Sequence, residues 1–295
     1  MCSANVRERS APAPTGPLHL GHAFSALTAF EAAERAGGTF LLRIEDIDRS
    51  RARPEWEALI YEDLRWLGLR WAEPVMRQSE RMHAYRAALA QLWSLGVLYP
   101  CTCTRRDIET AASAPQEGAP LIGPDGIVYP GTCRHVPSRP MPEDAVLRLN
   151  MGQALDHVGD LLFAEIGTPE IARSRNTIGK PTTVHLAAQT VQQDVGDVVL
   201  ARRNMGTSYH LSVVVDDAAQ GITHVTRGED LFDATAIHVV LQRLLDLPTP
   251  VYRHHRGIRD EAGNRLAKRD DARAIRLYRA EGCSPEEIRA LVGLR

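Results

Sequence analysis

Between Pro14 and Ile44 the chain leaves itself few folding choices. Pro14-Thr-Gly-Pro-Leu-His-Leu-Gly-His22 is a turn-rich entry to a helical pattern. The spacing of Phe24, Leu27, Ala29 and Phe30 predicts a helix over residues 21–36, and Gly37-Gly38 can end it. Thr39-Phe-Leu-Leu-Arg-Ile44 reads as a buried strand that runs straight into the acidic Glu45-Asp-Ile-Asp48. Pro54 suits the start of the next helix, which ends near Gly68. Residues 79–95 form another helical pattern, with Tyr85, Leu89 and Leu92 on one face and Gly96 after it. Alternation of this kind predicts a parallel sheet covered by helices.

Beyond residue 110 the pattern breaks. Residues 110–142 are rich in Pro, Gly and Ala and show little periodicity, as an irregular insert would. Strand-like runs return at 145–149, 198–202, 222–226 and 250–254, and a helical pattern covers 231–245. Leu211-Ser-Val-Val-Val215 suits either strand or helix. A helix is expected near 272–280, and Ser284-Pro-Glu-Glu287 has the form of a capping box that starts a last one. No run approaches 18 apolar residues and the first ten residues lack an apolar core, so neither a membrane span nor a signal peptide is expected, and the setting is cytoplasmic. Five cysteines in such a setting argue against a disulfide framework. A net charge of −2 leaves any nucleic-acid contact to a local basic face. Residues 253–279 carry nine Arg or Lys against four Asp or Glu. No long amphipathic seam stands out, which favours a monomer.

His19-Leu-Gly-His22 stands where a helix begins. A helix N-terminus offers unpaired N–H groups and a partial positive charge to phosphate. Gly21 lets a planar ligand lie close to the backbone, and His19 and His22 can donate hydrogen bonds to developing negative charge. These ingredients suit adenylate-forming chemistry. Late in the chain, Gly263-Asn-Arg-Leu-Ala-Lys-Arg269 is a basic stretch between an expected strand and an expected helix. Lys180 and Lys268 are the only lysines, and Lys268 falls here, placed to meet transition-state charge on a triphosphate. Cys101 and Cys103 lie two apart, so they share a face of an extended chain, and Cys133 follows the irregular insert. Three such thiolates suit zinc, which would hold together an insert too poor in apolar residues to fold alone.

The two basic motifs together resemble the H-I-G-H and K-M-S-K-S signatures of class I aminoacyl-tRNA synthetases. Arg9-Ser-Ala-Pro-Ala-Pro-Thr-Gly16 resembles the R-F-A-P-S-P-T-G opening of glutamyl-tRNA synthetases, and Leu42-Arg-Ile-Glu-Asp-Ile-Asp48 their L-R-I-E-D-T-D. Val213-Val-Val-Asp-Asp217 and His224-Val-Thr-Arg-Gly-Glu-Asp230 match the same family in order. About 25 residues follow the lysine motif, too few for an anticodon-binding domain. That length resembles the glutamyl-queuosine tRNA(Asp) synthetases. The resemblance implies an α/β fold: a Rossmann-like parallel sheet with helices on both faces, an inserted zinc-binding subdomain and a short C-terminal helical segment. The expected division is 1–100 and 143–250 for the two catalytic halves, 101–142 for the insert and 251–295 for the lysine motif and last helices.

It also implies the activity: ATP, with Mg²⁺, activates glutamate, and the acceptor is queuosine in the anticodon of tRNA(Asp). The alternatives are a truncated synthetase charging a tRNA 3′ end, a small-molecule adenylate-former or nucleotidyltransferase, and a non-catalytic zinc-containing RNA-binding paralogue. Glutamate needs Arg forks for its carboxylates and an acid for its ammonium. The matching positions are Arg9, Ala11, Ala13, Glu45, Tyr209 and Arg227, with His19, Gly21, His22 and Lys268 for ATP. Asp46 and Asp48 suit structural or capping roles, and Asp216-Asp217 suit either a helix end or a site edge. The zinc ligands implied are Cys101, Cys103, Tyr129 and Cys133, with His135 the competitor for the fourth place. Departures from the family pattern are Ala13 for a serine, Arg265 for the first lysine and Ala267 for a serine.

Overall fold

The computed structural model describes residues 5–112, 122–134, 140–167, 181–258 and 273–294. In chain order these form β1 (Arg7–Ser10), α1 (Leu20–Arg35), β2 (Thr39–Ile44), α2 (Pro54–Trp66), β3 (Ala72–Arg77), α3 (Met82–Ser94), β4 (Leu98–Cys101), α4 (Arg105–Ala112), β5 (Ile122–Gly123), β6 (Gly126–Ile127) and β7 (Val146–Leu149). Then come α5 (Met151–Val158), β8 (Leu161–Glu165), β9 (Thr182–Leu186), α6 (Ala188–Asp194), β10 (Val199–Ala201), α7 (Tyr209–Ala219), β11 (His224–Gly228), α8 (Thr235–Leu244), β12 (Val251–His255), α9 (Ile275–Ala280) and α10 (Pro285–Leu291). The ambiguous run at 211–215 is helical because it is buried with α3 and α8 rather than paired in a sheet.

The expected α1 and β2 form, and β1, which the sequence pattern does not mark, precedes them. Gly37 takes a φ of +61°, ending α1, and Gly38 passes so close to Val6 that a Cβ would lie 2.2 Å from its carbonyl oxygen. The chain then enters β2, which runs parallel to β1 with Arg7 opposite Thr39, and β3 adds on the other side. A second parallel group is made by β11, β12 and β8, with β9 antiparallel at its edge.

The two groups meet at β1 and β11. Thr223 N donates to Arg7 O at 3.0 Å and Arg7 N donates to Thr223 Oγ1 at 2.8 Å. One residue further along β1 the Glu8 side chain intervenes, accepting from Thr226 N at 3.3 Å and Thr226 Oγ1 at 2.9 Å. Strand order therefore reverses between β1 and β11, and such a reversal opens a crevice beyond the strands' C-terminal ends.

The resemblance implies one parallel sheet for both halves, and β1, β2, β3, β8, β11 and β12 supply parallel strands from both. However, β4, β7 and β10 form a separate antiparallel sheet. These strands are short and alternate with turns, so periodicity alone could not assign them to a different sheet. One apolar core lies beneath α1, α2 and β2 and takes in Ile288 and Val292; a second lies among α3, α5, α7 and α8, and a small third one gathers Tyr99, Cys101 and Tyr129.

Candidate active site

A cavity of about 620 Å³ occupies the crevice between β1 and β11. Arg9, Ala11 and Ala13 line it from the segment after β1, His19, Gly21 and His22 from the start of α1, and Glu45 from the end of β2. Tyr209 lines it from the first turn of α7 and Arg227 from β11. Residues drawn from five separate segments are thus brought to one wall.

The histidine end is a helix cap. His19 is the N-cap of α1, and its Nδ1 accepts from Gly21 N at 3.1 Å. His22 Nδ1 accepts in turn from His19 N at 3.1 Å, and the ring centroids lie 3.8 Å apart. With Nδ1 accepting, each neutral ring carries its proton on Nε2, a donor of the kind a phosphate oxygen needs. Ser25 and His255, bonded to each other at 2.6 Å, extend this wall, and no motif in the sequence had marked them.

The arginine end is a buried charge network. Arg9 forks onto Asp217, with Nε at 3.1 Å and Nη2 at 3.3 Å. Arg43 joins the same carboxylate at 2.7 Å and reaches Glu45 at 3.2 Å. Burial opposes ionisation of Asp217, yet Arg9 and Arg43 hold its carboxyl below the usual range. Burial pushes Glu45 up, with Arg43 and Arg9 opposing it. Burial also raises the Tyr209 phenol. Arg227 is bonded to His254, His238 and Thr235. The open choice for Asp216 and Asp217 resolves into two roles. Asp217 holds Arg9 and Arg43 beside the cavity, whereas Asp216 accepts from Gln78, Arg81 and Tyr85 and ties α7 to the start of α3. Asp46 accepts from Ser79 N and Oγ, and Asp48 closes a turn with Ser50 and Arg51, as structural roles require. Arg43 was missed, although an arginine inside the apolar run of β2 was a visible signal.

Lys268, Arg265 and Ala267 lie outside the described residues, as does His135. Both flanks of residues 259–272 border the cavity. Ile258 lines it, and beyond the segment Ala274 bridges His19 while Ile275 N donates to Leu18 O at 2.8 Å.

The cysteines converge elsewhere. Cys101, Cys103 and Cys133 bring their sulfurs within 4.8 Å of one another. The Tyr129 hydroxyl lies 3.5 Å from Cys101 Sγ and 3.3 Å from Cys103 Sγ, and it accepts from Cys133 N at 3.0 Å. Spacings of this size suit four donors around one tetrahedral ion with bonds of about 2.0–2.3 Å.

A crevice at a strand-order reversal, walled by an H-x-G-H helix start and by paired arginines, defines an enzyme of the class I synthetase type. The sequence profile of the class I tRNA synthetases (E and Q), catalytic domain, matches residues 5–150 and 170–295, and the chain belongs to this family. Among its relatives, the glutamyl-Q tRNA(Asp) synthetase of Rhodobacter capsulatus is 63% identical over 97% of this chain and 99% of its own length. The glutamate–tRNA ligase of Aquifex aeolicus is 36% identical over 97% of this chain but 56% of its own length. A crystal structure of a glutamate tRNA ligase from Elizabethkingia meningosepticum, in complex with its amino acid, superposes with a TM-score of 0.73 at 26% identity, covering 98% of this chain and 61% of that one. Among the described residues no helix is long and apolar enough to cross a membrane.

Proposed function

We propose that this chain activates glutamate with ATP and transfers the glutamyl group to queuosine in tRNA(Asp). The observation that carries the reading is one cavity holding two buried arginines and Glu45 at one end and a histidine-capped helix N-terminus at the other. Arg9 and Arg227 take the carboxylates of glutamate, Glu45 its ammonium, and Tyr209 packs against it, while Ala11 and Ala13 leave room beside β1. The α-carboxylate attacks the α-phosphorus of ATP, pyrophosphate leaves, and glutamyl-adenylate forms. Donors on His19 and His22 stabilise phosphate charge, and Lys268 adds a cation from a segment whose flanks both border the cavity. Mg²⁺ accompanies the nucleotide and neutralises its phosphates. A hydroxyl of the queuosine ring then attacks the adenylate carbonyl and AMP leaves.

The acceptor follows the relative that matches over nearly its whole length. The test is glutamate-dependent ATP–pyrophosphate exchange, followed by glutamylation of tRNA(Asp) with and without queuosine. Equal charging of queuosine-free tRNA would move the acceptor to the 3′ end. Unchanged exchange in both His19→Ala and Lys268→Ala would sink the adenylation reading.

The cysteine cluster holds one structural zinc ion through Cys101, Cys103, Cys133 and Tyr129. Metal analysis of the purified protein should give one zinc per chain, reduced in Tyr129→Phe and kept in His135→Ala. The opposite pattern would give the fourth place to His135. A tRNA-modifying ligase of this kind works in the cytoplasm, where its acceptor is found.

A further inference from the structure

Arg9 and Arg227 face the same cavity but are held in different ways. Arg9 is paired with the carboxylate of Asp217. Arg227 is held by three neutral acceptors. Its Nε donates to His254 Nε2 at 3.0 Å, its Nη1 to His238 Nδ1 at 2.9 Å and its Nη2 to Thr235 Oγ1 at 2.7 Å. A guanidinium can only donate, so each imidazole nitrogen facing it must present a lone pair.

That requirement fixes a chain of tautomers. His254 carries its proton on Nδ1 and donates it to Glu165 Oε2 at 2.5 Å. Glu165 is itself fixed, its Oε1 accepting from Gly167 N at 2.6 Å and His254 N at 3.0 Å. His238 carries its proton on Nε2 and donates it to His210 Nδ1 at 3.2 Å. His210 must then carry its own proton on Nε2, which lies 3.6 Å from Asp125 Oδ1 in the turn between β5 and β6. The chain is anchored on the Glu165 carboxylate at one end, and the two rings that face Arg227 each offer it a lone pair. Burial, with Arg227 beside them, holds His238 well below the ordinary histidine range and lowers His254 as well.

We infer that His238 and His254 are positioning residues that hold Arg227 in place while leaving its positive charge uncompensated for a substrate carboxylate. The inference rests on the assignment of Arg227 to glutamate. Three of its five N–H groups are used by the protein, and one on each terminal nitrogen is left, which matches a two-oxygen acceptor. A carboxylate at position 238 would hold the guanidinium equally well and cancel its charge. Neutral imidazoles give the geometry without that loss.

The test separates geometry from charge in the full-length protein. His238→Asn keeps a neutral oxygen near the place of Nδ1, and His238→Asp puts a carboxylate there. In glutamate-dependent ATP–pyrophosphate exchange, the Asn variant should raise the KM for glutamate by about threefold, the scale of one altered hydrogen bond. The Asp variant should raise it about a hundredfold, the scale of a buried charge newly paired away from its ligand. The KM for ATP should stay within about threefold of wild type in both. Equal effects of Asn and Asp on the glutamate KM would overturn the inference, as would no effect of Asp. If the wild-type protein fails to exchange with glutamate, it is the functional reading that falls. The relay can still be read from imidazole ¹⁵N shifts at neutral pH. His238 should be unprotonated at Nδ1 and His254 at Nε2, and a proton on either nitrogen would overturn the inference independently of activity.

Discussion

The two ends of the cavity are built by opposite means. At the histidine end, the cap itself lies within four residues: His19 caps the helix and His22 returns the bond. At the arginine end only the Arg43–Glu45 pair is local, and the contacts that tie the network together are long-range. Arg9 and Asp217 are separated by 208 positions, and Arg43 and Asp217 by 174. The local device can be altered with little harm to the fold, because a cap contributes only about 1 kcal/mol. The long-range device joins β1, β2 and α7, so altering it threatens the fold and the site together.

Asp217→Asn presses on that difference hardest. It leaves two buried guanidinium groups facing a neutral amide. The expected loss is about 3–5 kcal/mol of unfolding free energy, read by denaturant titration, with a raised KM for glutamate. A loss below about 1 kcal/mol would show that the arginine end is no more tied to the fold than an exposed ion pair.

His19→Ser is the matching change at the other end. Serine is a better N-cap than most residues, so stability should hold or rise by a few tenths of a kcal/mol. The donor on Nε2 is lost, and kcat for exchange should fall by about 10²–10³, or roughly 3–4 kcal/mol of barrier. A variant that keeps its kcat would mean the ring acts only as a cap. The pairing of gained stability with lost rate is what a site that trades one for the other should show.

This contrast also explains what could be read from the sequence. His19, Gly21 and His22 were visible because their geometry is set by a single helix start. The α1–β2 pair was visible because the period changes at Gly37-Gly38. Glu45 was visible because it directly follows an apolar strand. The role of Asp217 was not, because α7 reads equally well as strand, and a carboxylate at its end has no local mark. His210, His238 and His254 sit on three different elements, and only the fold brings them to Arg227. The same limit hid the antiparallel β4–β7–β10 sheet. Each of its strands is at most four residues long, and partner choice depends on where the chain returns.

Between the two ends, Glu8 lies where β1 and β11 part. It is fully buried, and burial pushes its carboxyl from an ordinary 4.5 to about 7 against the opposing hydrogen bond from Thr226. In the unfolded chain the proton leaves near the lower value, and in the folded chain near the higher. Between them the folded state holds the extra proton, so stability falls as pH rises through this window. Glu8→Gln removes the titration. From pH 5 to pH 8 the wild-type protein should lose about 2–3 kcal/mol relative to this variant, measured by denaturant unfolding at each pH. Parallel pH curves for the two proteins would show that the carboxylate is solvated at the junction and does not hold the strands apart at a cost.

The smallest expected effect comes from the second capping box. Ser284 caps α10, its Oγ accepting from Glu287 N at 3.2 Å while Glu287 returns to Ser284 N at 2.7 Å. The pattern repeats that of His19 and His22, and Ile288 of α10 shares a core with Leu20 and Ala23 of α1. Arg289 also pairs with Glu31 of α1, so α10 packs on the helix that carries the histidines. Ser284→Ala should cost about 1 kcal/mol in unfolding free energy and leave kcat and both KM values of exchange unchanged. The two boxes are alike in bonding and differ in what their side chains present to the cavity. If Ser284→Ala slowed exchange as much as His19→Ser, the loss at His19 would be a matter of helix placement and not of a donor. The histidine end would then depend on the distant fold just as the arginine end does.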